Sequence, residues 1–196
     1  MLRVAIILGS TRPGRNGEAV AEWVYEIAKK RPDAEFELVD IKDYNLPLYD
    51  ELIPGQYTHE HTKIWAAKTD SFDAFVFVTA EHNHSIPCAL KNAIDFVSKE
   101  SDNKVAGFVS YGGGALGTRA VEHLRLVMAE LQIADVRAQV TLSLFTDFQN
   151  FTKFKPAAFQ EQYVNTMLDQ VIAWGTALKT LRTKKLDQYS SALAPS

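Results

Sequence analysis

The stretch Gly9-Ser10-Thr11-Arg12-Pro13-Gly14-Arg15-Asn16-Gly17 decides the fold of this chain. It follows an apolar run, Val4 to Leu8, and it precedes a helical pattern that starts near Glu18. A buried strand that runs through a tight polar loop into a helix aims backbone N–H groups and the positive end of the helix dipole at one point. The sequence therefore predicts an anion site, and in particular a phosphate site, in this loop.

The composition of the loop narrows the kind of phosphate site. No lysine follows Gly14 or Gly17, so the Walker pattern is absent, and the glycine spacing does not fit the dinucleotide pattern G-x-G-x-x-G. What remains is a loop rich in hydroxyl groups after the first strand, as mononucleotide-binding flavodoxin-like folds use. The alternative is an ordinary turn that carries two solvated arginines.

Strand patterns alternate with helical patterns along the chain. The continuously apolar run Ala74–Thr79 is typical of a central parallel strand, whereas Glu35–Asp40 alternates like an edge strand. The predicted strands cover residues 3–8, 35–40, 74–79, 105–110 and 136–142. Five helices are predicted. The first begins near Glu18, the next three cover residues 58–71, 87–97 and 117–131, and the last begins after Pro156 and ends at about Leu181.

Five strands that alternate with helices predict an α/β fold. We expect a flavodoxin-like, doubly wound, five-stranded parallel sheet in the order 2-1-3-4-5, with helices on both faces. Such a fold binds its ligand at the carboxyl ends of strands one and three. The 196 residues are expected to form a single domain over residues 1–182, followed by a polar C-terminal tail over residues 183–196.

Composition and charge argue against several classes of function. The net charge is −3 and no basic run exceeds the three residues Lys29-Lys30-Arg31, so a nucleic-acid surface is not expected. No stretch approaches the length of a membrane span, and the N-terminus lacks the pattern of a signal peptide. The single cysteine, Cys88, fits a reducing compartment, and we expect a cytoplasmic location.

The loops after strands three and four carry two further motifs. The first is Thr79-Ala80-Glu81-His82-Asn83-His84-Ser85-Ile86-Pro87, followed by Leu90-Lys91-Asn92-Ala93-Ile94-Asp95-Phe96, and the second is Ser110-Tyr111-Gly112-Gly113-Gly114-Ala115-Leu116-Gly117. Together with Gly9-Ser10-Thr11-Arg12 and Leu46-Pro47-Leu48-Tyr49-Asp50-Glu51, they make the chain resemble the NADPH-dependent FMN reductase family. This is a flavodoxin-like group that includes azo-, quinone- and chromate-reducing flavoenzymes.

The resemblance implies that the chain binds FMN and that NADPH or NADH is its electron donor. It places the FMN phosphate in the first loop, at Gly9, Ser10, Thr11, Arg12, Arg15, Asn16 and Gly17. It places the isoalloxazine ring beside Glu81, His82, Asn83 and Ser85, with its pyrimidine edge near Ser110, Tyr111, Gly112 and Gly113. Because the flavin carries the hydride chemistry, no catalytic acid or base is expected from the protein.

Two positions depart from the family pattern. Ala80 stands where the family usually has proline, and His82 stands where it usually has a tyrosine that borders the flavin. Imidazole is smaller than phenol and can be protonated. We therefore expect these departures to affect flavin binding and the choice of acceptor more than the fold.

The expected function is that of an FMN-dependent NAD(P)H oxidoreductase. It would pass hydride from NADPH through FMN to a small acceptor (a quinone, azo compound, free flavin or metal oxyanion) by a ping-pong mechanism. Two alternatives stay open, a flavodoxin-like one-electron carrier and a non-catalytic flavin-binding regulator. Flavodoxin-like one-electron carriers are usually strongly acidic. The net charge of −3 and the arginines of the first loop, Arg12 and Arg15, therefore favour the enzyme.

The resemblance also implies a homodimer or homotetramer. Apolar residues of helices two and three are expected to supply part of the contact between subunits. These residues are Trp65, Leu90, Ile94 and Phe96.

Some residues match patterns of other sites. Gly112, Gly114 and Gly117 match G-x-G-x-x-G, but a dinucleotide site needs an acid at the end of the following strand, and Asp135 lies at its start. The histidine pairs at 59/61 and 82/84 are expected to be solvated, because no third metal ligand is clustered with either pair. We therefore expect no metal site.

Cys88 and a run of phenylalanines each have two interpretations. Cys88 is expected to be a small buried residue rather than a reactive thiolate, because the sequence places no base near it. Phe145, Phe148, Phe151 and Phe154 recur every three residues. We expect them to pack locally within a long loop, and the alternative is a partner contact or a rim over the flavin.

Overall fold

Five parallel strands form the central sheet: β1 (Leu2–Leu8), β2 (Ala34–Asp40), β3 (Ala74–Ala80), β4 (Lys104–Gly112) and β5 (Ile133–Ser143). The structure is a computed structural model that describes residues 1–192, and the side chains of residues 1–182. The strand order is β2-β1-β3-β4-β5, with parallel pairing throughout this sheet. This order confirms the predicted flavodoxin-like topology.

Helices cover both faces of the sheet, as predicted. They are α1 (Gly17–Ala28), α2 (Glu60–Asp70), α3 (Cys88–Asp95), α4 (Thr118–Glu130) and α5 (Gln160–Ala192). Helices α1 and α5 pack on one face, and α2, α3 and α4 pack on the other. None of the helices in the described part of the chain has both the length and the apolar character that crossing a membrane requires.

Side chains of each strand alternate between these two cores, because successive side chains of a strand point to opposite faces. Val76 and Val78 of β3 pack towards α1 and α5, whereas Phe75 and Phe77 pack towards α2, α3 and α4. All seven residues of β3 are buried, which fits the central position that its continuous apolar pattern predicted.

The apolar residues that we assigned to a contact between subunits are buried within the chain. Trp65, Leu90, Ile94 and Phe96 are between 1 and 6 % exposed, and the Trp65 Nε1–H donates to the carbonyl oxygen of Ala93 at 2.7 Å. This part of the prediction is wrong, since helical spacing also turns these side chains onto the sheet. A homodimer or homotetramer stays a prediction without support from them.

The last helix is longer than the sequence suggested. We expected it to end near Leu181, but α5 continues to Ala192. No glycine or proline interrupts residues 176–192, so no stop signal exists where we placed the end. Residues 193–196 of the predicted tail lie outside the described residues, and the domain boundary at residue 182 stays a prediction.

Candidate functional site

The loops after β1, β3 and β4 meet at the carboxyl edge of the sheet. The Gly9 N–H donates to the Val78 carbonyl oxygen at 2.9 Å, and the Glu81 N–H donates to the Tyr111 carbonyl oxygen at 3.2 Å. Together these loops form a cleft, here called the edge cleft. It is lined by Ser10, Arg12, Arg15, Asn16, Ala80, Glu81, His82, Tyr111, Gly112, Gly113 and Leu144.

Not every predicted site residue lines the edge cleft. Gly9, Thr11, Gly17, Asn83, Ser85 and Ser110 lie in or beside the same three loops but not among the lining residues. Thr11 faces a neighbouring cleft that Leu46, Cys88 and Asn92 also line. The three loops therefore come together as predicted, but their side chains do not all face the edge cleft.

The first loop offers a set of unpaired backbone donors. In the described part of the chain, the N–H groups of residues 10–16, apart from Pro13, which has none, donate to no other group. No side chain caps the N-terminus of α1 either. Unpaired N–H groups at a helix start are the donors that a bound anion satisfies. The loop therefore fits a phosphate group.

The two arginines of this loop have different surroundings. Arg12 is exposed and makes no hydrogen bond or ion pair with the residues that the structure describes. The Arg15 side chain is only 7 % exposed, and its Nη1 donates to Asp40 Oδ1 at 2.9 Å while Nη2 pairs with Oδ2. Nη1 also donates to the Ser10 carbonyl oxygen. Arg12 is thus available to an anion, whereas Arg15 ties the loop to the end of β2.

Asp40 fixes the charge of Arg15. Burial by itself lowers the pKa of the Arg15 guanidinium, but the hydrogen bonds and the charge of Asp40 outweigh burial and raise it above the usual value. Sequence reasoning missed this role of Asp40. The signal that could have found it is the strand order, because β2 pairs with β1 and Asp40 lies opposite Leu8, next to the loop.

Three predicted site residues use their side chains to hold the loops. The Asn16 Nδ2 donates to the Phe151 carbonyl oxygen at 2.7 Å. The Ser85 Oγ lies 3.0 Å from His123 Nδ1, and the Ser110 Oγ donates to the Leu116 carbonyl oxygen at 2.9 Å. Asn16 itself lines the edge cleft, whereas Ser85 and Ser110 do not, so the last two side chains fix the loops that border the cleft.

The loop after β3 ends in a tight turn. The N–H of His82 donates to the carbonyl oxygen of Ser85 at 2.9 Å, and the N–H of Ser85 donates back at 3.0 Å. Asn83 and His84 have φ values of 47° and 73°, which is the pattern of a type I′ turn and suits asparagine. The turn leaves His82 and Asn83 exposed at the mouth of the edge cleft.

Glu81 carries an unpaired buried oxygen. Its side chain is 7 % exposed, its Oε1 accepts a hydrogen bond from Arg119 Nε at 2.6 Å, and its Oε2 has no partner among the described residues. A buried carboxylate oxygen without a donor is unfavourable. Because Glu81 lines the edge cleft, this oxygen fits a ligand that donates an N–H. Sequence reasoning did not identify Arg119 as the residue that orients Glu81.

The glycines after β4 pack the loop against itself. A Cβ atom at Gly112 would lie 2.8 Å from the Gly117 nitrogen, and one at Gly117 would lie 2.7 Å from the Ser110 Cβ. Gly117 also has a φ of +78°. This packing accounts for Gly112 and Gly117, two of the three glycines that match G-x-G-x-x-G, without a second nucleotide. Gly112 and Gly113 line the edge cleft, where the lack of side chains allows a ligand to approach the backbone.

The Tyr111 side chain lies beneath the first loop, and Tyr111 also lines the edge cleft. Its ring packs near Phe148, and its hydroxyl would lie 2.7 Å from a Cβ atom at Gly17. Burial is the main reason that the pKa of Tyr111 rises to about 12, although the positive charge of Arg12 and a hydrogen bond from the Gly17 N–H oppose this rise. Tyr111 therefore supports the phosphate loop from below as a neutral phenol.

The four phenylalanines separate into two pairs around a short hairpin, β6 (Phe148–Gln149) and β7 (Lys153–Phe154). Phe148 and Phe154 pack on each other with ring centroids 5.0 Å apart, which confirms local packing for this pair. Phe145 and Phe151 are exposed and contact each other at 5.7 Å. Because a Cβ atom at Gly113 would lie 3.8 Å from Phe145, the exposed pair stands at the edge of the cleft.

One expectation outside the edge cleft is wrong, and the premise of another fails. Cys88 is exposed, because it is the first residue of α3 and the helix turns Leu90, Ala93 and Ile94 to the core instead. The premise that no third ligand lies near His59 and His61 also fails. Asp50, from the loop after β2, lies within 4.8 Å of both by their possible ligand atoms.

Known proteins resemble this chain in sequence. The family model described as NADPH-dependent FMN reductase matches residues 2–147. The NAD(P)H-dependent FMN reductase ntnL of Nectria sp is 36 % identical over 159 residues, which cover 75 % of this chain and 79 % of that protein. A quinone reductase of Pseudomonas putida is 30 % identical over 183 residues, which cover 87 % and 93 % of the two chains.

Solved structures agree on the fold. The flavoenzyme NAD(P)H:(acceptor) oxidoreductase FerB of Paracoccus denitrificans has a TM-score of 0.69 at 19 % identity, over 90 % of this chain and 98 % of that chain. At this identity the likeness shows the fold alone, whereas the family match and the sequence relatives show descent. The chain belongs to the NADPH-dependent FMN reductase family, and it is an oxidoreductase that works with FMN and NAD(P)H.

Proposed function

We propose that this chain passes two electrons from NADPH, through FMN held in the edge cleft, to a quinone or a similar small acceptor. The observation that carries the proposal is the first loop, which has unpaired N–H groups. Its Ser10 and exposed Arg12 line the same cleft as Glu81, the residue whose Oε2 has no partner among the described residues. FMN, when bound, supplies the hydride chemistry. Relatives named as quinone reductases support the choice of acceptor.

The residues of the cleft have distinct tasks in this proposal. The backbone of residues 10–16 and the Arg12 guanidinium bind the phosphate, while Arg15 and Asp40 hold that loop in place. Glu81, oriented by Arg119, accepts a hydrogen bond from the ring system. Gly112 and Gly113 border the ring with backbone alone, where N–H groups can stabilise negative charge. No side chain of the protein has to give or take a proton.

Steady-state turnover tests the function. Purified protein with bound FMN should oxidise NADPH in the presence of a benzoquinone and produce hydroquinone in equal amount. A protein that binds FMN but does not turn over would instead be the flavin-binding regulator. Transfer to a one-electron protein acceptor with no quinone turnover would favour the flavodoxin-like carrier. The preference for NADPH over NADH stays a prediction, for which Arg119, half-exposed at the cleft, is a candidate contact to the 2′-phosphate.

Arg12→Ala should weaken FMN binding about 10- to 100-fold, because one charge-assisted bond to a phosphate contributes about 1.5–3 kcal/mol. Titration of the apoprotein with FMN, followed by flavin fluorescence, measures this change. Arg137→Ala is the matched control, since Arg137 is also exposed but lies on β5. Equal FMN affinity in the two variants would show that the phosphate does not bind near Arg12.

The kinetics should be ping-pong. The loop after β4 packs on itself, so within residues 1–182 we find no second nucleotide loop, and donor and acceptor must use the same cleft in turn. Hydride transfer needs reacting atoms about 3–3.5 Å apart, which also prevents both from occupying the cleft together. Double-reciprocal plots should be parallel, with NADP⁺ competing against the quinone. Intersecting plots would mean separate sites.

A further inference from the structure

Outside the edge cleft, two histidines and an aspartate converge at the start of α2. His59 precedes this helix and His61 lies in its first turn, while Asp50 comes from the loop after β2. We propose that Asp50, His59 and His61 form a binding site for a divalent transition metal of the zinc class. No part of the proposed flavin chemistry uses these residues.

The distances suit three ligands of one ion. Asp50 Oδ1 lies 3.1 Å from His61 Nε2 and 3.6 Å from His59 Nδ1, and the ligand atoms of all three residues lie within 4.8 Å of one another. Zinc bonds of 2.0–2.1 Å at tetrahedral angles place neighbouring ligand atoms about 3.3–3.4 Å apart. The two measured separations lie on either side of that value. A water molecule or an external ligand would take the fourth position.

The local charge favours a dication. Behind the three ligands lies Glu51, whose side chain is 1 % exposed and whose Oε1 is 3.4 Å from His59 Nδ1. The Thr58 hydroxyl and the N–H groups of Thr58 and His59 donate hydrogen bonds to the Glu51 carboxylate. The two carboxylates carry a charge of −2, and imidazole binds a metal in its neutral form, so one divalent ion balances the charge. Imidazole ligands select zinc-class metals over magnesium or calcium.

The surrounding residues hold the ligands in place. On one side of Asp50, the Tyr49 N–H donates to Asn92 Oδ1 at 2.9 Å, and on the other side Glu51 accepts hydrogen bonds from the N–H groups of Thr58 and His59, each at 3.0 Å. The His61 ring packs edge-on against the buried Phe96 at 5.5 Å. Ligands that are fixed before binding lose little entropy when the metal binds.

A hydrogen-bonded cluster without metal is the competing explanation. One neutral imidazole N–H can donate to Asp50, and the two rings already stack in parallel at 5.2 Å. His59 Nδ1 is 3.6 Å from Asp50 Oδ1, too far for a hydrogen bond, and its contact in this cluster is instead the Thr58 hydroxyl at 3.4 Å. A single ion would satisfy both ring nitrogens and the carboxylate at once. Binding of Zn²⁺ to the full chain therefore separates the two explanations.

Isothermal titration of the untagged, FMN-loaded protein with Zn²⁺ tests the site. We expect one saturable site per chain. Asp50→Asn keeps the shape and should weaken Zn²⁺ binding about 10- to 100-fold, and the double variant H59A/H61A should weaken it by at least about 100-fold. The control is H84A/H123A, which removes the other pair of neighbouring imidazoles and should bind Zn²⁺ as the original chain does. Circular dichroism verifies that each variant is folded.

Two results would overturn the proposal. One is the absence of a saturable site in the original chain, which would leave the hydrogen-bonded cluster as the explanation. The other is unchanged Zn²⁺ affinity in both Asp50→Asn and H59A/H61A, which would place the metal elsewhere. FMN binding is measured on the same samples, so a failure of the proposed flavin site would be recognised separately from a failure of the metal site.

Discussion

Replacing Gly117 by alanine should destabilise the protein by about 3 kcal/mol or more and remove measurable FMN binding. The backbone at Gly117 has a φ of +78°, which is unfavourable for a residue with a Cβ atom. That Cβ would also lie 2.7 Å from the Ser110 Cβ, 2.9 Å from the Tyr111 nitrogen and 3.0 Å from its carbonyl oxygen. Backbone atoms of a central strand cannot move away as a flexible side chain could, so the loop has to open.

Gly114→Ala is the matched control for this prediction. Gly114 lies three residues earlier in the same loop, but a Cβ atom there would meet nothing within 4 Å. Urea unfolding and FMN titration of the two variants measure the difference. If both glycines tolerate alanine equally, then close packing does not explain the glycines of this loop. The dinucleotide interpretation of Gly112, Gly114 and Gly117 would then have to be reconsidered.

The sheet could be predicted from the sequence because its signals are local. A continuous apolar run such as Ala74–Thr79 has few structural alternatives, and the loops at the carboxyl edge follow from the strand order. The end of α5 could not be predicted, because residues 176–192 carry neither a glycine nor a proline to mark it. Helix ends without such signals depend on tertiary packing.

The direction of each side chain in the site could not be predicted from the sequence. Arg12 and Arg15 are residues of the same type in one loop. Yet Arg12 is exposed, whereas the Arg15 side chain is buried against Asp40. The difference arises from a contact across 25 residues, which only the pairing of β1 with β2 creates. In the same way, Asp50 approaches His59 and His61 because the loop after β2 folds back onto α2. No periodic pattern in the sequence predicts the course of this loop.

Asp40→Ala should lower the free energy of unfolding by about 3 kcal/mol, near the lower end for breaking a buried ion pair. The Arg15 guanidinium would lose its carboxylate while it stays nearly buried, with Glu18 at 3.7 Å and the Ser10 carbonyl oxygen as its remaining partners. Part of the loss has another origin, because Asp40 Oδ1 also accepts the Lys42 N–H at 3.0 Å at the start of a short 3₁₀ helix, Ile41–Tyr44. A single variant cannot separate the two contributions.

A double-mutant cycle with Arg15→Met separates them. Methionine is about as long as arginine but carries no charge, so R15M/D40A leaves no buried charge unpaired and should be more stable than Asp40→Ala alone. The Lys42 hydrogen bond is lost both in Asp40→Ala and in the double variant, and it therefore cancels in the coupling energy. Urea unfolding of the four proteins measures this energy. Additive effects would mean that Arg15 does not depend on Asp40 and leave it free to bind the phosphate, as its place in the sequence first suggested.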